Sequence, residues 1–157
     1  MSVVEDRLAE LGLAVPDVAK PVAAYVPAVR DGNLIFTSGQ LPMVSGALVR
    51  TGKVGTAGDA VSPDDAKLLA ETCALNAIAA VKSVIGDLDK VTRVVKVVGF
   101  VASDPSFTGQ PGVINGASEL LGKAFGDAGV HARSAVGVAV LPLDAPVEVE
   151  ITVSVQD

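Results

Sequence analysis

Residues 131–155 read HARSAVGVAVLPLDAPVEVEITVSV, two apolar runs joined by a proline-containing link. In the second run, valine or isoleucine occupies every other position from Val147 to Val155, and polar residues fill the positions between them. This alternation is typical of a strand with one face in the core. Arg133 stands at the start of the first run and Glu148 near the start of the second. A guanidinium is always charged and presents a planar fork of hydrogen-bond donors, so Arg133 either is exposed to solvent or binds an anion.

Turn and capping residues mark the elements that precede this stretch. An extended pattern over residues 25–39 is broken by an Asp-Gly step at 31–32, which predicts a hairpin. Ser62-Pro63 provides a hydroxyl N-cap and a proline at the first helical position, which predicts a long helix up to about Ile85.

The remaining segments complete an α+β pattern. They predict a helix over residues 3–11, a loop with a short strand within 43–61, a strand over 92–101, a helix over 112–125 and strands over 133–140 and 147–155. Both main helices should pack on one face of a single sheet. We expect one domain, with an N-terminal helix and linker at 1–20 and a core at 21–157.

Composition and charge narrow the classes of function. The chain has 157 residues and a net charge of -6, which disfavours a nucleic-acid partner because such affinity needs clustered basic residues. One cysteine and one histidine leave no disulfide and no zinc-type ligand set. The sequence shows no basic leader and no run of about 18 apolar residues, so we expect a soluble cytoplasmic protein without a membrane partner. The mean hydropathy of +0.51 predicts that copies of the chain associate.

Separated motifs occur in order across about residues 20–155: Tyr25, GNLIFTSGQLP at 32–42, ARSAV at 132–136, LP at 141–142 and VEVE at 147–150. Together they resemble the Rid family, also called YjgF or liver perchloric-acid-soluble protein. The resemblance implies a chorismate-mutase-like fold of the bacillus type and a homotrimer with ligand clefts between subunits. In the deaminase branch it implies hydrolysis of 2-aminoacrylate and related enamines or imines, made by pyridoxal-phosphate enzymes, to 2-keto acids and ammonia. We expect no cofactor, because the C=N carbon is already electrophilic once the enamine has tautomerised. We also expect no metal, with a metal held by oxygen ligands as the open alternative.

The resemblance assigns roles to both charged residues of the C-terminal stretch. Arg133 matches the arginine that holds the substrate carboxylate, a task suited to a fixed fork of donors. Glu148 matches the acid that orients or activates the hydrolytic water. The alternatives are an exposed arginine at a strand end and, for Glu148 as for its neighbour Glu150, a solvated residue on a polar face.

Four further residues match positions that line the cleft in this family. Tyr25 matches an aromatic that packs on the substrate and can donate through its hydroxyl. Ser38 and Gly39 match a turn whose hydroxyl and backbone N–H approach the carboxylate. Asn115 lies near the place of a site asparagine, with one residue added between it and Arg133. Plain strand positions are the alternative explanation for Tyr25 and for the Ser38-Gly39 turn.

Other chemically active residues have weaker cases. His131 shares a strand face with Arg133 and either tunes the site or is a surface histidine. Cys73 lies among alanines in a predicted helix, as expected of a small buried residue. Typical deaminase-branch members often carry cysteine where Ala135 stands, so this position has no thiol role. The glycine-rich residues 46–58 lack the Gly-Lys-Ser/Thr ending of a phosphate loop.

The spacing of Arg133 and Glu148 limits how they work together. If the last two strands were hairpin neighbours, Glu148 would lie opposite about Ala139, roughly 17–20 Å from Arg133 at ~3.4 Å per residue. Such a pair cannot hold one small ligand. Either the strands are not simple neighbours, or the two residues meet across a subunit boundary.

The leading hypothesis is therefore an enamine or imine deaminase. The extra N-terminal helix and the enlarged 43–61 stretch depart from typical members, so the substrate stays open. The alternatives are a non-catalytic member that binds a small carboxylate or a protein and, last because of the acidic charge, a ribonuclease or translation inhibitor.

Overall fold

A computed structural model of the chain describes residues 2–21 and 23–157. Its elements are α1 (Val3–Glu10), β1 (Ala28–Asp31), β2 (Leu34–Thr37), β3 (Met43–Val44), β4 (Ala47–Leu48), α2 (Pro63–Ile85), β5 (Val91–Ala102), α3 (Gln110–Phe125), β6 (Ala132–Val138) and β7 (Val147–Val155). The predicted α+β class, hairpin, helices and final strands are confirmed, with ends that move by up to three residues. The 43–61 stretch holds a small separate hairpin, β3–β4, where one short strand is predicted.

Five strands form one mixed sheet in the order β1-β2-β7-β5-β6. β5 and β6 run parallel, and the other neighbours run antiparallel. Helix α3 returns the chain to the end of the sheet where β5 starts, so β6 joins the edge beside β5 in the same direction. β7 then lies between β5 and β2. The last two strands are therefore not hairpin neighbours, which is one of the two possibilities that their spacing left open, because β5 separates them.

The main helices pack together on one face of the sheet, as predicted. Val147 and Val149 of β7 are fully buried on this face. Where the helices meet, a Cβ on Gly116 of α3 would lie 1.9 Å from the carbonyl oxygen of Lys67 in α2. Cys73 of α2 is fully buried, which confirms its predicted place in the core. A glycine at position 116 thus sets how closely the helices approach.

Helix α1 is tied to the rest of the chain by both side chains and backbone. The Asp89 carboxylate accepts hydrogen bonds from the backbone N–H groups of Val3 and Val4 at 2.9 and 3.2 Å. Arg7 donates to the carbonyl of Ala124 at the end of α3. These bonds hold α1 against the turn before β5 and against the end of α3.

Helix α2 has the length and apolar composition of a membrane span. However, 61% of its most apolar window is buried inside the protein. Its apolar surface therefore faces the sheet and α3, which makes it a core helix.

The sheet face opposite the helices carries exposed apolar side chains. Val29, Phe36 and Val136 are 51, 41 and 44% exposed. Strand pairing places Val29 beside Phe36 and Val136 beside Phe100. We call this surface the open face, and an apolar patch of this kind is typical of an interaction surface.

Candidate functional site

The predicted site residues fall into two groups on opposite faces of the sheet. Arg133 is the register partner of Val97, which is buried under the helices, so Arg133 projects on the helix face. Glu148 alternates with buried Val147 and Val149 and projects on the open face. The register separates Arg133 and Glu148 by about 10 Å along the strand direction. They also lie two strands apart, which adds about 10 Å across the sheet. Within one chain they cannot hold the same small ligand.

Helix α3 holds the Arg133 guanidinium at the edge of the sheet. Nη1 donates to Oδ1 of Asn115 at 2.8 Å and to Oγ of Ser118 at 3.2 Å, and Nη2 donates to the Pro111 carbonyl at 3.3 Å. Arginine carries five N–H donors. Its Nε–H and one Nη2–H therefore have no partner in the part of the chain that the structure describes. Two donors on adjacent nitrogens suit a carboxylate.

Ser118 links Arg133 to the histidine of the same group. Its Oγ lies 2.9 Å from His131 Nε2, and His131 Nδ1 lies 2.6 Å from the carbonyl oxygen of Gly129. The sequence motifs indicate Asn115 and His131 but not Ser118. Spacing was the available signal, because residues three apart in a helix lie on the same face.

The second group lines a small recess, which we call the Glu148 recess. Tyr25, Gly39 and Glu148 line it together, and residues 19–21 of the N-terminal linker form part of its wall. The open space amounts to about 50 Å³, which is room for a few water molecules. The structure thus brings three of the predicted residues, Tyr25, Gly39 and Glu148, together. Arg133 and Asn115 lie elsewhere, on the helix face of the sheet.

Gly39 and Glu148 are in close contact inside this recess. A Cβ on Gly39 would lie 2.0 Å from Glu148 Oε1, so only glycine leaves room for the carboxylate. Among the described residues, none donates a hydrogen bond to Glu148. Burial and then the negative charge of Glu150 raise the pKa of the Glu148 carboxyl above its usual value. Such a carboxylate is suited to take a proton from water.

The neighbouring turn is held by its own hydrogen bonds. Ser38 donates from its backbone N–H to the Pro27 carbonyl at 2.8 Å and from its hydroxyl to the Val26 carbonyl at 2.6 Å. Both Ser38 donors are therefore used within the chain. The backbone N–H of Gly39 has no partner among the described residues, so it is the donor this turn can offer to a ligand. Tyr25 is 43% exposed beside it.

Two residues without a sequence signal also shape the recess. Asn76, a buried polar residue of α2, donates from Nδ2 to the carbonyls of Leu41 and Met43, both at 3.0 Å. This fixes the wall that these two residues form. Lys20 adds a positive charge to the lining from the linker, and it forms no ion pair within residues 2–21 and 23–157.

Known proteins match this chain over nearly its whole length. A family model described as "YjgF/chorismate mutase-like, putative endoribonuclease" matches residues 5–153. Protein TCP17 of Trypanosoma cruzi is 41% identical over 152 residues, which cover 96% of this chain and 93% of that protein. The crystal structure of Atu1372 from Agrobacterium tumefaciens, a protein of unknown function, is 47% identical with a TM-score of 0.90, covering 98% of this chain and 93% of that one.

The E. coli YjgF gene product is a more distant structural relative. Its structure is 25% identical with a TM-score of 0.63, and the match covers 91% of this chain and 98% of that one. The family model spans residues 5–153, which is nearly the whole chain. The chain therefore belongs to the YjgF/RidA family.

Proposed function

We propose that the protein hydrolyses small enamines or imines that carry a carboxylate, such as 2-aminoacrylate, to 2-keto acids and ammonia. The observation that carries the proposal is the hydrogen bonding of the Arg133 guanidinium. Three of its hydrogen bonds fix it to α3, while donors on two adjacent nitrogens stay available for a carboxylate. Glu148 is the proposed base, because its pKa is raised and its carboxylate oxygens accept no hydrogen bond from the described residues.

The reaction needs one group that holds an anion and one base. The enamine first takes a proton on its methylene carbon and becomes an iminium ion, the protonated form of the imine, whose C=N carbon is electrophilic without a cofactor. Water adds to that carbon while the Glu148 carboxylate takes a proton from it. The nitrogen then takes a proton and leaves as ammonia, and loss of the remaining hydroxyl proton gives the 2-keto acid. One water enters and one ammonia leaves.

The proposal includes a homotrimer whose sites lie between subunits. Its support is that Arg133 and Glu148 project from opposite faces of the sheet in one chain. The exposed Val29, Phe36 and Val136 give the open face a surface for association. We place this assembly in the cytoplasm, where pyridoxal-phosphate enzymes release such imines.

Release of ammonia and pyruvate from 2-aminoacrylate made in situ tests this function. The oligomeric wild type should exceed the rate without enzyme. Arg133→Ala should lower kcat/KM by about 10²-fold or more, and Arg133→Lys should restore only part of it because lysine keeps the charge but loses the fork. Arg50→Ala, which removes a surface arginine paired with Asp65, is the matched control. If a folded oligomer released ammonia and pyruvate no faster than buffer alone, the proposed deaminase function would be rejected.

The same experiment separates the two alternative functions. A non-catalytic member would be stabilised thermally by 2-keto acids and would consume no imine. The family description names an endoribonuclease. The net charge of -6 disfavours RNA as substrate, because RNA affinity depends on clustered basic groups. RNA cleavage that survives Arg133→Ala and repeated purification would favour the nuclease.

A further inference from the structure

The hydrogen bonds beside Arg133 continue through two residues that have no role in the proposed reaction. Arg133 Nη1 contacts Ser118 Oγ at 3.2 Å, Ser118 Oγ contacts His131 Nε2 at 2.9 Å, and His131 Nδ1 contacts the Gly129 carbonyl at 2.6 Å. We propose that Ser118 and His131 are positioning residues that hold Arg133 with its free donors directed at the substrate carboxylate. This inference rests on the proposed function of Arg133.

Donor and acceptor chemistry gives every bond in this series one direction. A carbonyl only accepts, so in the neutral imidazole Nδ1 carries the hydrogen and donates to Gly129. Nε2 is then an acceptor and takes the hydroxyl hydrogen of Ser118. A guanidinium only donates, so Ser118 Oγ accepts from Arg133 Nη1. His131 thus turns the Ser118 hydroxyl so that its lone pairs face Arg133.

The position of Arg133 explains why such support is needed. Arg133 lies on β6, the edge strand of the sheet, and its side chain is only partly buried. A long side chain there would otherwise lose much conformational freedom on gripping a ligand. With both Nη1 hydrogens taken by Asn115 and Ser118, the guanidinium is oriented before the ligand arrives.

Local structure places the partners without distortion. Asn115 and Ser118 are three residues apart in α3 and share a helix face. His131 directly precedes β6 and lies two residues before Arg133, so in extended chain the two side chains project to the same side. The turn at Gly126–Gly129 carries the Gly129 carbonyl to the imidazole. The group therefore links α3 to the edge strand β6.

Nitrogen NMR of the histidine tests the geometry without any need for activity. The chain has one histidine, so its ring signals belong to His131. At a pH where the ring is neutral, we expect the Nδ1–H tautomer with an unprotonated Nε2. Ser118→Ala should then shift the Nε2 resonance. The Nε2–H tautomer in the wild type would overturn the inference.

Binding and kinetics test the role. Ser118→Ala should weaken pyruvate binding and raise KM for the imine by about fivefold to tenfold, with kcat changed less than about twofold, because one hydrogen bond to a charged group is lost. Ser118→Thr keeps the hydroxyl and should bind like the wild type. Ser83→Ala, the same change on α2, is the matched control.

A double-mutant cycle separates positioning from a structural effect. Since His131 acts through Ser118, His131→Leu should weaken pyruvate binding, and adding it to Ser118→Ala should cost little more. Additive losses, or an unchanged dissociation constant in Ser118→Ala, would overturn the positioning role. Pyruvate binding that follows these variants in a protein without deaminase activity would reject the proposed reaction but keep the inference.

Discussion

The Glu148 carboxyl, at the scale of a single residue, predicts the pH dependence of the reaction. Burial and Glu150 raise its pKa, and a base works only when ionised. The acid limb of kcat/KM should therefore lie above the usual carboxyl range, and activity should fall as pH drops through it. Glu150→Gln removes a neighbouring negative charge, so it should move that limb to lower pH. A profile of kcat/KM against pH measures the acid limb in both proteins. An acid limb that does not move in Glu150→Gln would contradict the assignment of Glu148 as the base.

Gly39 provides a second prediction for one residue. In Gly39→Ala the new Cβ would overlap Glu148 Oε1, and the end of a flexible side chain can move away at little cost to the fold. The carboxylate would then leave its place in the Glu148 recess. We expect kcat to fall by about 10²-fold, the usual contribution of a general base, with a thermal midpoint close to that of the wild type. Near-normal kcat would show that the carboxylate position is not needed.

At the scale of elements, the contact between α2 and α3 should depend on Gly116. A methyl group there would collide with the Lys67 carbonyl, which is backbone and cannot turn away. Gly116→Ala should therefore destabilise the fold by about 1–3 kcal/mol through overpacking. Gly122→Ala in the same helix meets open space, so it should stabilise by about 0.5–1 kcal/mol. Urea unfolding of both variants checks the pair, and equal effects would contradict the packing argument.

The element scale also shows what the sequence could predict. Local signals predicted the helix that begins after Ser62 and the strand that alternates over 147–155, because caps and alternation act within a few residues. The place of β6 could not be read from such signals, since it depends on the α3 crossover. Likewise Lys20 lines the recess and Asn76 holds its wall from segments distant in sequence, so no spacing relates them to Glu148.

At the scale of the whole molecule, the two halves of the proposed site must come from different copies. Arg133 projects from the helix face at the edge strand, and Glu148 from the open face. Association through the open face would bury Val29, Phe36 and Val136 and explain why they are apolar. Each chain would then provide Arg133 to one site and Glu148 to another.

Mixing two inactive variants tests this division directly. Arg133→Ala keeps the Glu148 recess, and Glu148→Gln keeps the Arg133 fork, so each homo-oligomer should be nearly inactive. In a closed ring assembled from equal amounts, about one quarter of the sites would join an intact Arg133 to an intact Glu148 of a neighbour. A site built within one chain would stay inactive in every mixture. A trimer purified through both tags contains both variants and so has one intact shared site in three. These trimers should show about a third of wild-type activity, and background activity in a verified mixed oligomer would contradict the shared site.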